Sequence, residues 1–276
     1  MSKLSLQSKL KLNNEVGIPV LGLGVWQSPP GKGTRDAVRC ALDSGYRLLD
    51  TARIYGNESD VGDAIRESGL PRDEVFVTTK LWNSDQSYSS AMKACEESLR
   101  RLNLTYLDLY LVHWPVEGLR KETWRAMAAL VKQGKCRAVG VSNYTIRHLQ
   151  ELLENADLVP AVNQVEFHPF LYQKELLDFC RLKGVQLEAY SPLTRGERLN
   201  QAEVLALAAR HGRSPAQVLI RWGLQHSLVL IPKSVKRERI VENSKVFDFA
   251  LSPEEMRSLD SLNEDFRTCW DPSNVP

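Results

Sequence analysis

Residues 107–143 read LDLYLVHWPVEGLRKETWRAMAALVKQGKCRAVGVSN. An apolar run, LDLYLVH, is followed by a stretch in which Trp124, Met127, Ala128 and Val131 recur at helical spacing. Gly134 can close that helix in a left-handed turn, and a second apolar run, CRAVGVSN, begins just after it. Neither run alternates cleanly between apolar and polar, which is the pattern of strands covered on both faces. The same unit recurs on either side. Toward the N-terminus the runs are EVFVTTK near 74, YRLLD near 46 and VLGLGVW near 20; toward the C-terminus they are AVNQVEF near 161, VQLEAY near 185 and LVLIPKS near 228. The intervening stretches carry helix signals. Thr34 is a candidate cap for a helix whose apolar face is Ala37, Val38, Ala41 and Leu42, with Gly45 at its end. Ser214-Pro215 and Ser252-Pro253-Glu254-Glu255 place a cap before a proline in the first turn, the latter as a capping box.

Eight apolar runs alternating with helices point to a single-domain α/β structure over residues 1–276, a (β/α)8 (TIM) barrel. Residues 5–20 precede the first run and are expected to form a hairpin closing the lower end of the barrel. A doubly wound sheet is the alternative, but it needs a phosphate loop after its first strand, and Gly22-Leu23-Gly24 continues as Val25-Trp26-Gln27.

The chain has 276 residues with 36 basic and 34 acidic side chains, a net charge of +2. That balance argues against nucleic acid as a partner, since phosphate binding needs an excess of cations on one face. No apolar stretch approaches the roughly 20 residues of a membrane span. The N-terminus has no continuous apolar core, so a secretory signal is not expected. A transit peptide is the other reading of its acid-free first 14 residues, which also read as an alternating strand pair. The expected location is cytoplasmic. The five cysteines contain no C-x-x-C pair and the five histidines no i,i+4 pair, so neither a disulfide framework nor a metal site is expected.

In such barrels reactive groups gather at the carboxyl ends of the strands. Here the second run ends at Asp50, the third at Lys80, the fourth at His113 and the fifth at Ser142-Asn143, with Tyr55 in the loop after Asp50. Neighbouring strands lie about 4.8 Å apart, so these side chains must converge. Any one of them alone reads equally as a polar strand end. Together, a carboxylate, an ammonium, an imidazole and a phenol suit proton transfer. A free phenol has a pKa of about 10, and an adjacent ammonium is expected to lower it, with Asp50 keeping Lys80 charged.

These residues sit in motifs that resemble the aldo-keto reductases over nearly the whole chain, in particular the short-loop members of the glyoxal, 2,5-diketogluconate and prostaglandin F synthase type. The matching segments are GYRLLDTARIYGNE (45–58), TTKLWN (78–83), LYLVHWP (109–115), GVSNY (140–144), NQVEFHP (163–169), AYSPL (189–193), IPKS (231–234) and RIVEN (239–243). The resemblance implies an oxidoreductase that reduces aldehydes and ketones with NADPH. It implies a catalytic set of Asp50, Tyr55, Lys80 and His113, in which Tyr55 protonates the carbonyl oxygen and His113 orients it. Ser142, Asn143 and Gln164 would meet the nicotinamide carboxamide, and Tyr190 would stack on that ring. Ser191 and Leu193 would flank the pyrophosphate. Lys233, Ser234 and Arg239 would take the 2′-phosphate, and Glu242 and Asn243 the adenine. Trp26, Trp82 and Trp114, with Trp270, would line a pocket for a small carbonyl substrate. The resemblance also suggests a monomer.

The chain departs from the family where Thr194-Arg195-Gly196 follows Ser191-Pro192-Leu193 in place of the usual glycine, which leaves the 194–200 loop over the cofactor undefined. Two other readings stand beside reduction: a non-catalytic, cofactor-binding member of the same fold, and a barrel lyase or isomerase using Lys80 as a Schiff base.

Overall fold

The structure, a computed structural model, describes residues 4–276. A short antiparallel hairpin comes first, β1 (Lys9–Lys11) and β2 (Gly17–Pro19). Eight parallel strands then follow: β3 (Leu23–Gly24), β4 (Leu48–Asp50), β5 (Phe76–Leu81), β6 (Leu107–Val112), β7 (Cys136–Ser142), β8 (Val162–Glu166), β9 (Gln186–Tyr190) and β10 (Val229–Leu230). Each pairs with the next in chain order. The sheet closes on itself, since Gly22 N–H donates to Leu230 O at 2.8 Å and Leu230 N–H to Val20 O at 3.0 Å. The helices between and after the strands are α1 (Lys32–Asp43), α2 (Glu58–Ser68), α3 (Tyr88–Leu102), α4 (Arg120–Lys132), α5 (Ile146–Asn155), α6 (Lys174–Leu182), α7 (Ala202–His211), α8 (Pro215–Gln225), α9 (Arg237–Ser244) and α10 (Pro253–Asp260). This is the (β/α)8 barrel expected from the alternating runs. Among the described residues no helix is long and apolar enough to cross a membrane.

Two cores hold the barrel. One fills the shell between strands and helices. The other lies inside the barrel, where Leu48, Phe76, Leu109, Leu111, Val162 and Val229 meet Leu12 and Ile18 of the hairpin segment. The hairpin therefore closes the lower end of the barrel. Asn13 and Asn14 fasten it by donating to Pro160 O at 3.1 Å and Arg137 O at 3.0 Å. Above the apolar layer the inward positions turn polar, with Asp50, Thr78 and Lys80 buried there. A Cβ on Gly140 would lie 2.4 Å from Val162 O, so only glycine fits there.

Most of the expected helix ends occur. Ser214 and Ser252 both cap their helices with reciprocal bonds from Gln217 and Glu255. Two details differ. Helix α1 begins at Lys32, after Gly31 at φ +77°, so Thr34 is not its cap; its hydroxyl lies within the first turn and donates to Pro29 O at 2.8 Å. In α4 the buried stripe is Thr123, Trp124, Ala126, Met127 and Leu130, while Ala128 and Val131 are half-buried. The helical period admits two adjacent stripes here, and packing against the neighbouring helices selects the one centred on Ala126 and Leu130.

Candidate active site

Strand period decides what the upper barrel contains. Leu48 and Asp50 in β4, and Phe76, Thr78 and Lys80 in β5, point inward in alternation. Parallel register sets Asp50 beside Thr78, so Lys80 stands one inward step above it. Lys80 is 0 % exposed. Its ammonium makes three contacts: Asp50 Oδ1 at 2.6 Å, Thr51 O at 3.0 Å and the Tyr55 hydroxyl at 3.3 Å. The short helical turn Arg53–Tyr55 after β4 brings the phenol back over the barrel mouth. His113, just past β6, completes the group, with its ring 5.7 Å from that of Tyr55 and 5.2 Å from that of Trp82, both edge-on. The four side chains, from the ends of three consecutive strands, thus converge.

Their protonation follows from burial and partners. Burial acts against the Lys80 ammonium, but Asp50 and Tyr55 outweigh it and hold its pKa above the ordinary value. Burial lifts Asp50, while Lys80 and Gln164 draw it back. Burial, helped by Lys80, holds His113 well below its usual range, so its imidazole is neutral at neutral pH, and its Nδ1 is buried without a hydrogen-bond partner. The phenol departs from expectation. Burial pushes Tyr55 up to about 12, because the pull of Lys80 is offset by Asp50 behind it. The ammonium lowers the phenol relative to burial alone but does not bring it below a free phenol. Tyr55 is therefore fully protonated at neutral pH, the form a proton donor needs.

The residues expected at the nicotinamide end lie together at the ends of β7, β8 and β9. Ser142 Oγ donates to Gln164 O at 2.8 Å. Asn143, in the left-handed region at φ +63°, donates to His113 O at 3.0 Å and Ser142 Oγ at 3.1 Å and accepts from the Tyr190 hydroxyl at 2.8 Å. Asparagine tolerates that backbone better than most residues. Gln164 Nε2 turns inward, to Asp50 Oδ2 at 2.8 Å and Glu188 Oε2 at 2.9 Å.

At the far end Lys233 and Arg239 are exposed near the start of α9, with Lys233 Nζ on Gln27 O at 3.1 Å. Ser234 Oγ accepts from Lys236 N–H at 3.1 Å. Asn243 is buried, and the Glu242 carboxylate accepts from the Ser214 hydroxyl at the start of α8. The 194–200 loop has a definite form. Ser191, Thr194 and Arg195 all adopt positive φ, and the Arg195 guanidinium stacks 4.4 Å over Trp26 and donates to Cys269 Sγ at 3.0 Å. Trp26 thus sits with this loop, Trp82 with His113, and Trp114 with Trp270 at 5.8 Å between rings. Leu193 is half-buried at the start of the same loop.

Three features escaped the sequence reading. Glu188 is a buried acid inside the barrel; its signal was present in VQLEAY, where Gln186, Glu188 and Tyr190 share one strand face. Arg195 lies in the departure from the family pattern and gave no sign of its reach. Glu166, at the end of β8, fastens the C-terminal tail: its carboxylate accepts from Thr268 N–H at 2.7 Å and Cys269 N–H at 3.1 Å, backed by His168 at 3.2 Å.

A buried ion pair touching a phenol beside a neutral imidazole, at the carboxyl ends of parallel barrel strands, is an arrangement suited to proton transfer. The chain belongs to the aldo/keto reductase family, whose model matches residues 20–264. It is 51% identical over 271 residues to the glyoxal reductase of Bacillus subtilis (strain 168), covering 98% of each chain. The solved structure of an aldo-keto reductase from a Medee basin deep-sea metagenome library matches with a TM-score of 0.94 at 43% identity, covering 97% of this chain and 99% of that one. The Bombyx mori aldo-keto reductase, solved in complex with NADP, matches with a TM-score of 0.90 at 34% identity over 95% of each chain.

Proposed function

We propose that this chain reduces small aldehydes and ketones with NADPH, with Tyr55 as the general acid. The observation that carries this reading is the Lys80 ammonium joining Asp50 at 2.6 Å to the Tyr55 hydroxyl at 3.3 Å, beside neutral His113. The residues suit the cofactor. The Ser142 hydroxyl, bonded to the Gln164 backbone carbonyl, and the Asn143 amide, bonded to Ser142 Oγ and the Tyr190 hydroxyl, gather polar groups beside an aromatic residue, a combination that suits a ring carrying a carboxamide. Ser191 and Leu193 lie on the path of the pyrophosphate. Exposed Lys233 and Arg239, with Ser234, suit a phosphate near a helix start, and Glu242 and Asn243 would face the adenine.

When bound, NADPH supplies the hydride that reduces the carbonyl carbon. Tyr55 gives its proton to the carbonyl oxygen. A developing alkoxide is far more basic than a phenolate, so even a phenol near 12 donates readily. Lys80 stabilises the phenolate that remains, and Asp50 holds Lys80 charged. His113 orients the carbonyl oxygen by a hydrogen bond from its neutral ring. Trp82 and Trp114 wall the substrate, with Trp270 above and Trp26 beside the 194–200 loop.

A purified preparation that consumes NADPH absorbance with a simple aldehyde supports this reading; binding without turnover supports the non-catalytic alternative. Filling of all four catalytic positions favours turnover. The Schiff-base reading is weakened because Lys80 is buried, charged and held by three partners.

Arg239→Ala is expected to raise KM for NADPH by about tenfold or more, the loss of one charge-assisted phosphate contact, and to change KM for NADH little. Equal effects on both cofactors would move the 2′-phosphate elsewhere.

A further inference from the structure

Glu188 lies midway along β9, 0 % exposed, and the chemistry above makes no use of it. It stands in register with Gln164 on β8 and Val229 on β10. Gln164 is held between two acids, since its Nε2 donates to Asp50 Oδ2 at 2.8 Å and to Glu188 Oε2 at 2.9 Å. An amide nitrogen has two hydrogens, and both are committed here. Only the amide oxygen is left for Gln164 to offer to a ligand. The carboxamide of a nicotinamide ring carries N–H groups that need such an acceptor. With one inward hydrogen released, the Gln164 amide could rotate and present its nitrogen, a donor facing donors.

We propose that Glu188 is a positioning residue for the cofactor: together with Asp50 it pins the Gln164 amide so that Oε1 is the atom turned toward the nicotinamide carboxamide. The proposal rests on the NADPH reading above. A valine at this height would pack as Val162 and Val229 do nearby, yet the chain keeps an acid whose Oε1 is buried with no partner. Such a group is costly to bury and calls for a role.

The charge arrangement agrees. Of the ionisable groups, Asp50 and Lys80 face Glu188, Tyr55 lies beyond Lys80, and β10 contributes only Val229 at this level. Burial, then the Asp50 charge, pushes Glu188 up to about 8, so it is protonated at neutral pH and accepts the Gln164 hydrogen through its carbonyl oxygen. Tyr55, at about 12, and His113, well below its usual range, do not titrate near it. Ionisation of Glu188 as pH rises through about 8 adds a negative charge under the nicotinamide site. That charge favours the cationic ring of NADP+ over the neutral ring of NADPH.

The test is fluorescence titration of the full chain with NADPH and NADP+, on wild type, Glu188→Leu, Glu188→Gln, Gln164→Leu and the Glu188→Leu/Gln164→Leu double variant. Glu188→Leu is expected to weaken NADPH binding about tenfold, and Glu188→Gln, which can still accept from Gln164, to restore it to within about twofold. In the Gln164→Leu background the Glu188→Leu effect should vanish, because the two act through one amide. NADP+ affinity should rise between about pH 7 and 9 in wild type and stay flat in Glu188→Gln. A folded Glu188→Leu that binds NADPH as wild type does, or an effect that persists undiminished without Gln164, overturns the proposal. If Glu188→Leu does not fold, the same pH slope in wild type and Glu188→Gln overturns it. Wild type that binds no NADPH at all removes the reductase reading itself; wild-type binding with unaltered variants removes only the role of Glu188.

Discussion

Tyr55→Phe is expected to lower kcat for aldehyde reduction by about 10²- to 10⁴-fold, the usual contribution of a positioned general acid. NADPH affinity should stay within about twofold, because the substitution removes one oxygen and no cofactor contact. The phenol is half-buried, and its hydroxyl meets Lys80 at 3.3 Å. Without it the developing alkoxide would draw a proton only from water or from His113, which is neutral and a far weaker acid than its imidazolium. Stopped-flow loss of NADPH absorbance measures the step, and fluorescence quenching measures the affinity. Undiminished turnover would transfer the acid role to another group. With Tyr55 protonated up to about 12, the forward reduction should show no loss on its account across neutral pH. The reverse oxidation, which needs the phenolate as base, should accelerate as pH rises toward that value.

Lys80→Met should be the most damaging single change to stability, at about 3–5 kcal/mol, because it strands Asp50 in the barrel without its counter-charge. Gln164 would be the main remaining hydrogen-bond partner of that carboxylate. The sign with pH can be worked through. Burial already raises Asp50, and losing Lys80 removes the largest effect opposing that rise. A carboxyl raised in the folded state binds its proton more tightly there than in the unfolded chain, so it costs stability as pH climbs above the ordinary carboxylate range. The deficit of Lys80→Met should therefore be smallest in acid and grow toward neutrality. The Asp50→Leu/Lys80→Met double variant should recover most of the loss, since an apolar pair of similar volume replaces a buried ion pair at little or no cost. Urea denaturation of wild type and the two variants decides this, and a double variant no more stable than Lys80→Met would show the pair itself to be a net stabiliser. Both variants should be inactive, because the phenol then lacks its cation.

The barrel and the convergence of Asp50, Tyr55, Lys80 and His113 were legible in the sequence because both follow from strand ends. The runs that stop at Asp50, Lys80 and His113 end on the side chains that meet, Tyr55 follows in the next turn, and barrel closure does the rest. The direction of the Tyr55 shift was not legible. Spacing placed a cation beside the phenol, but the outcome depends on how deeply the pair is buried and on Asp50 standing behind the cation. The orientation of Gln164 was hidden for a similar reason. Its motif assigned it to the nicotinamide carboxamide without saying which end of the amide would meet it, and the inward turn of Nε2 needs Glu188 from the neighbouring strand. Arg195 lies beyond any local pattern, as it meets Trp26 and Cys269, both remote from it in sequence. The α4 stripe missed by a small rotation, because periodicity marks an apolar face but not which neighbour it meets.

Glu166 grips the tail by two consecutive main-chain N–H groups, at Thr268 and Cys269. The Thr268 hydroxyl also donates to the same carboxylate, so the grip uses the backbone and one side chain, and none of it passes through Trp270. Trp270, 73 % exposed next door, can thus be exchanged without unfastening the segment that carries it. The anchor is thus separate from the exposed ring, and on the proposed reading of Trp270 as a pocket wall its exchange changes which substrates are admitted while the reacting groups stay untouched.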